Sequence, residues 1–188
     1  CVVVAGLPAA GKSMLGHRLA ARLGGAVIDK DTVTAPLVAA ALAAAGEPLD
    51  ELDAPFYKRR LRPAVYAAVE ATTADVLADG ATAVLVAPYL VEVTDPTWQP
   101  ALRKRLGAAR LDLVWVVVDT VTARARIAAR DLPRDRQSLR HWPRFAEQFA
   151  GLRPPAGPHV TVDTSGLAAT ELNTVVDRLA AELAEVSG

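Results

Sequence analysis

Short apolar runs alternate with longer stretches of helical spacing along the whole chain. Cys1-Val2-Val3-Val4-Ala5 is a continuous run rich in β-branched residues, the pattern of a strand buried on both faces, and residues 14–23 continue as a helix. Residues 26–28 read as a second strand ending at Asp29-Lys30-Asp31. Helices over 34–45 and 55–78 follow, each with a glycine, Gly46 and Gly80, just past its end. A third strand over 82–87, a helix over 96–106 and a fourth strand over 111–118 (LDLVWVVV) come next. Asp119-Thr120 caps a helix to about Arg130, and a short segment over 142–150 precedes a proline-containing loop at 151–158. A fifth strand over 159–163 leads into a closing helix over 168–186, with Leu172, Val175, Val176, Leu179 and Leu183 on one face. This alternation predicts βαβ units and a parallel sheet, an α/β fold.

Between the first strand and first helix lies Gly6-Leu7-Pro8-Ala9-Ala10-Gly11-Lys12-Ser13, which satisfies G-x-x-x-x-G-K-[ST] in the strand-loop-helix context that pattern needs. Gly6 and Gly11 permit backbone angles closed to other residues, so the loop can wrap an anion with its N–H groups pointing inward. Lys12 reaches the β- and γ-phosphates of a nucleoside triphosphate, the Ser13 hydroxyl ligates Mg²⁺, and Met14 continues the cradle into the helix. ATP and Mg²⁺ are the expected ligands.

Charge and composition narrow the partners. Across 188 residues, 21 Lys and Arg balance 21 Asp and Glu, which argues against a chain that coats nucleic acid or an anionic membrane. One cysteine, Cys1, excludes an internal disulfide, no apolar run reaches the roughly 18 residues of a bilayer span, and no leader pattern is present, so a cytoplasmic location is expected. Because the first strand begins at Cys1, a few natural residues are expected to precede it. His17, His141 and His159 have no second ligand at metal spacing.

The nucleotide loop after the first strand, the Asp at the end of the second and the arginines after the fourth together resemble the P-loop kinase group. The likeness is greatest to its small phosphotransferases, which include chloramphenicol phosphotransferase, the kinase domain of polynucleotide kinase and AAA-type ATP-binding proteins. It spans nearly the whole chain and implies a P-loop kinase-like three-layer sandwich with a five-stranded parallel sheet in the order 2-3-1-4-5. It further implies one domain over 1–188, with a lid at about 131–142 and an acceptor-binding helical region at about 34–79.

The resemblance also assigns roles. Asp31 takes the place of the carboxylate that accepts the proton of an attacking hydroxyl, while Asp29 supports the site and holds Mg²⁺ through water. Arg126 and Arg130, four apart on one helix face, match arginines that contact nucleotide and transferring phosphate, and Arg134 falls in the lid. Ser165, in Thr164-Ser165-Gly166, stands where related kinases bind adenine through backbone groups. No carboxylate ends the third strand, where many P-loop enzymes carry one: Val86 runs into Ala87-Pro88-Tyr89.

On the acceptor side, Tyr57, Lys58, Arg59, Arg60 and Arg62 give the segment 50–66 a basic and aromatic character suited to a polar or anionic acceptor. Tyr57, Arg60 and Tyr89 are the expected substrate contacts beside Asp31. The function that fits is an ATP-dependent phosphotransferase acting on a hydroxyl of a small molecule, such as an antibiotic or another secondary metabolite. A polynucleotide 5′-hydroxyl kinase and a nucleotide-dependent switch or ATPase are the alternatives. The first would want a basic channel, which the balanced net charge and short length argue against, and the second lacks an N-K-x-D motif, although Asp163-Thr164-Ser165-Gly166, after the fifth strand, matches D-x-x-G. Oligomeric state is not indicated.

Overall fold

A computed structural model of the protein describes residues 1–48, 55–132 and 135–185. The parallel strands are β1 (Val2–Gly6), β2 (Ala26–Asp29), β3 (Ala83–Val86), β4 (Asp112–Val117) and β5 (Val160–Asp163), in the spatial order β2-β3-β1-β4-β5. This is the α/β sheet order of P-loop kinases. β1, β3 and β4 lie in the middle, which is why their sequences are continuous apolar runs: all five residues of β1 and all four of β3 are buried. Edge strand β5 buries only Val162.

The helices are α1 (Lys12–Leu23), α2 (Lys30–Ala44), α3 (Arg62–Ala78), α4 (Trp98–Arg105), α5 (Thr120–Arg130), α6 (Arg136–Arg140), α7 (Trp142–Ala150) and α8 (Ala169–Glu185). α1 packs on β2 and β3 on one face and is covered by α8, while α3 packs on β2, β3 and α2. Right-handed crossovers place α2 and α3 on the opposite face from α1, because the chain reverses direction across the sheet after β2.

Two departures from the sequence pattern move chemistry. α2 starts at Lys30 rather than residue 34, because the Asp29 carboxylate accepts hydrogen bonds from the backbone N–H groups of Asp31 (2.8 Å) and Thr32 (3.4 Å) and so caps the helix directly at the strand end. Asp31 therefore sits in a first helical turn. The stretch expected as one helix over 55–78 carries a π-helical turn at Tyr57–Leu61 before α3, where Pro63 in the first turn of α3 has no N–H to continue the preceding ladder. Part of the segment 50–66 lies outside the described residues. Similarly, the expected helix at 96 begins at Trp98, because the Asp95 carboxylate accepts from the Thr97 N–H and hydroxyl in a local turn.

Candidate active site

The loop from Gly6 to Ser13 leaves β1 at the carboxyl edge of the sheet. Gly6 has φ +136°, and a Cβ there would lie 2.0 Å from the Val116 carbonyl oxygen, so only glycine lets β1 turn against β4. Leu7 and Ala10 point into the core, Pro8 is half-buried, and Ala9 and Gly11 have left-handed φ of 57° and 82°. These alternating turns expose the loop's backbone while its apolar side chains anchor it. Met14, expected to extend the cradle, is exposed.

The Lys12 ammonium donates to the Leu7 carbonyl at 2.6 Å, curled over its own loop. Burial lowers its pKa to about 8, against the opposing pull of Asp31 and with the repulsion of Arg130 adding to the effect. The sign for binding follows: Lys12 is charged below about 8 in the free protein, and a polyphosphate favours the charged form. In EDTA, affinity for ADP should fall as pH rises above about 8, by up to about tenfold per unit, in calorimetric titrations. For folding, a Lys lowered from 10.5 costs stability below about 8, and stability from this group rises with pH between those values.

Ser13 donates its hydroxyl proton to Asp29 Oδ2 at 2.5 Å, and Asp29 is 7% exposed. Asp29 pairs in register with Val86 of β3. β3 ends without a carboxylate, and Asp29 lies at the same level on the neighbouring strand. Hard oxygen donors, one hydroxyl and one carboxylate, fit a Mg²⁺ ion that takes its remaining ligands from phosphate and water. Among the described residues no cluster of three or more His, Cys, Asp or Glu could hold a metal by itself. Asp31, one residue into α2, accepts a hydrogen bond from the Lys30 ammonium at 2.5 Å.

Arg126 reaches the loop from the outside of the sheet's carboxyl edge. Its guanidinium donates to the Ala9 carbonyl (3.2 Å), the Thr164 hydroxyl (3.0 Å) and the Thr164 carbonyl (2.8 Å). Arg126, expected to contact phosphate, thus ties the loop to the end of β5. Thr164, which the sequence pattern did not single out, is 3% exposed and donates to the Ala10 carbonyl at 2.9 Å. Only a neighbouring expectation for adenine at 164–166 hinted at it. Thr164→Val should destabilise the fold by about 1–3 kcal/mol in urea unfolding, because it leaves the Ala10 carbonyl and one Arg126 N–H without partners. The Ser165 hydroxyl accepts from the Asp119 N–H at 2.7 Å, joining the end of β5 to the cap of α5.

Arg130 forks onto Asp135, with Nη2 donating to Oδ1 at 2.7 Å and Nε to Oδ2. Asp135 is 6% exposed, while Arg130 lies close enough to Lys12 for its charge to depress the lysine's pKa. Arg134 lies outside the described residues.

The expected acceptor contacts divide. Tyr57 is buried and Arg60 exposed. Tyr89 does not face an open crevice: it is 1% exposed, stacks between Tyr66 (4.9 Å between centroids) and Trp98 (4.8 Å), and donates its hydroxyl to Glu70 at 3.2 Å. Its left-handed φ of 47° turns the chain after Pro88, whose carbonyl accepts from Gly6, and drives the ring inward. Burial and the Glu70 carboxylate push its pKa up.

An AAA domain family, AAA_33, matches residues 1–155. No curated protein sequence matches the chain. Among solved structures, a kinase-like protein from Chloroflexus aurantiacus J-10-fl is 20% identical with a TM-score of 0.67, covering 95% of both chains. A gluconokinase from Sinorhizobium meliloti 1021 is 20% identical with a TM-score of 0.57, covering 100% of this chain and 97% of that one. A shikimate kinase from Bacteroides thetaiotaomicron is 14% identical with a TM-score of 0.58, covering 97% of each. At these identities the likeness is one of fold. Among the described residues no helix is long and apolar enough to cross a membrane.

Proposed function

The chain belongs to the AAA domain family AAA_33, and from that premise we propose that it is an ATP-dependent phosphotransferase moving the γ-phosphoryl group to a hydroxyl of a small molecule. One observation carries the reading: Ser13 is bonded to Asp29 at the end of β2, and Asp31 follows in the first turn of α2, so a nucleotide-loop hydroxyl and two carboxylates share one sheet edge. A switch or motor needs the loop and a metal carboxylate; a second carboxylate held by Lys30 beside them suits a hydroxyl that must be oriented and deprotonated. The gluconokinase and shikimate kinase share the fold and phosphorylate small molecules by name, which supports the acceptor class.

In this mechanism the backbone N–H groups of the loop and the Lys12 ammonium hold the β- and γ-phosphates. Ser13 and Asp29 would hold Mg²⁺, which supplies charge neutralisation at the phosphate oxygens when bound. Asp31 orients the acceptor hydroxyl and takes its proton, and Arg130 stabilises the charge that develops on the moving phosphoryl group. Arg126 and Thr164 hold the loop in shape, with Ser165 and its neighbours beside the base. The lid is read at Asp135, Arg130's partner, and α6, which come over the nucleotide, and α2 and α3 bound the acceptor. The resemblance to chloramphenicol phosphotransferase places antibiotics among the acceptors to be tried.

The test is ADP release from ATP and Mg²⁺ against a panel of sugars, polyols, amino sugars and antibiotics, with phosphate addition read by mass. A phosphotransferase speeds up with one compound. Slow hydrolysis unchanged by every member overturns the reading, and acceleration by a 5′-hydroxyl oligonucleotide alone transfers it to a nucleic-acid kinase.

A further inference from the structure

α3 runs through a short connection into β3, so its last residues lie at the amino edge of the sheet and its first residue, Arg62, at the carboxyl edge. The turn Glu92–Thr94, six residues beyond the end of β3, lies at that same edge. There Arg62 Nη2 donates to Glu92 Oε1 at 2.5 Å, and the guanidinium lies over the Tyr66 ring, 4.6 Å from its centroid. α2 begins at this edge too, capped by Asp29 and carrying Asp31. Of the basic residues that suited the segment to a polar or anionic acceptor, Arg62 is therefore balanced by a carboxylate.

The pairing is incomplete in a particular way. In Arg105–Glu70 and Arg130–Asp135 the guanidinium takes both carboxylate oxygens. At Glu92 it takes one, and Oε2 is buried without a hydrogen-bond partner among the described residues. The Tyr66 ring lies against the same guanidinium, which reaches Glu92 through Oε1. A buried carboxylate oxygen without a donor is costly, and because the Glu92 side chain as a whole is 24% exposed, a turn of its carboxylate that brings Oε2 to a ligand's donor removes that cost.

Resting on the phosphotransferase reading above, we infer that the Arg62–Glu92 pair selects a non-anionic acceptor, whose O–H or N–H group donates to Glu92 Oε2. The charge of Arg62 is already balanced by Glu92, which weakens its pull on a carboxylate or phosphate of the acceptor. Glu92 thus contributes affinity for hydroxyl- or amine-bearing acceptors and rejects their acidic counterparts.

Two measurements test this. In the first, protein saturated with the non-hydrolysable triphosphate AMP-PNP and Mg²⁺ is titrated with sulfate as an anion probe. Wild type should take up no further sulfate. Glu92→Gln, which keeps an oxygen for Arg62 but removes the charge, should bind sulfate at least about tenfold more tightly, and R62Q/E92Q should lose that gain. Sulfate uptake by wild type equal to that of E92Q, or no uptake by either, overturns the inference. In the second, glucitol, glucamine and gluconate, which share a carbon skeleton and differ in charge at one end, join the acceptor panel. Acceptors that work should be neutral or cationic, and E92Q should raise their KM by on the order of 10- to 100-fold while kcat changes far less. Preferred phosphorylation of gluconate, or an unchanged KM, overturns it. If every acceptor is inert the phosphotransferase reading falls, and the sulfate titration still decides the selectivity of the pair.

Discussion

Asp31→Asn should lower acceptor phosphorylation by about 10²- to 10⁴-fold, the range for losing a positioned general base, while leaving the affinity for ATP nearly unchanged at pH 7. Asn matches Asp in shape, and the α2 cap belongs to Asp29, so the first turn persists. What is lost is an oxygen able to take a proton. The Lys30 ammonium, largely buried, then faces an amide in place of a carboxylate. A second consequence separates this from a folding defect. Asp31 is the strongest influence raising the pKa of Lys12, so its neutralisation should move the fall in nucleotide affinity to a pH below about 8. Rapid-quench turnover and the ADP titration in EDTA read the two effects independently. A mutant with full turnover would remove Asp31 from the chemistry.

The fold is legible in the chain wherever one local rule decides the structure. Val2 to Ala5 and Leu113 to Val116 are buried in the centre of the sheet, so burial writes an apolar run, and its shortness and β-branched residues mark it as a strand. Gly6 is legible because its φ of +136° and the approach of Val116 leave room for no side chain. The start of α2 is hidden, because Asp29 reads equally well as a strand end, a metal carboxylate or a cap, and here its two oxygens serve different partners: Oδ1 the helix N–H groups and Oδ2 Ser13.

Long-range contacts are the least visible. Thr164 is tied to Ala10, 154 positions away, and Arg126 to Ala9, 117 away, and nothing near either residue announces the bond. Tyr89 looks like a loop aromatic free to meet a substrate until Tyr66 and Trp98 are brought against it from two other helices. The Arg62–Glu92 pair spans 30 positions, and without it the basic stretch before α3 reads as an anion site. In each case composition suggests a chemistry, and a partner supplied by tertiary packing decides whether it is available.

Arg130 shows the same competition with the larger consequence. Its guanidinium is engaged by Asp135, yet its charge is felt at Lys12. In the transition state negative charge is spread over the three equatorial oxygens of the moving phosphoryl group and the leaving oxygen, and an arginine that stabilises it contributes roughly 10³ to 10⁵ in rate. Arg130→Ala should accordingly lower kcat by about 10³-fold or more, with far less effect on the affinity for ATP. The same change leaves Asp135 buried and unpaired. Because the Arg130 side chain is 36% exposed and solvent screens the pair, the cost in stability should be only about 1–2 kcal/mol. The double variant R130A/D135A separates the two effects: removing the orphaned carboxylate should restore the urea midpoint, while turnover stays low because no cation has returned to the phosphate. If turnover recovered together with stability, the Arg130–Asp135 fork would be a structural clasp for the end of α5, and the charge opposing Lys12 would be incidental to catalysis.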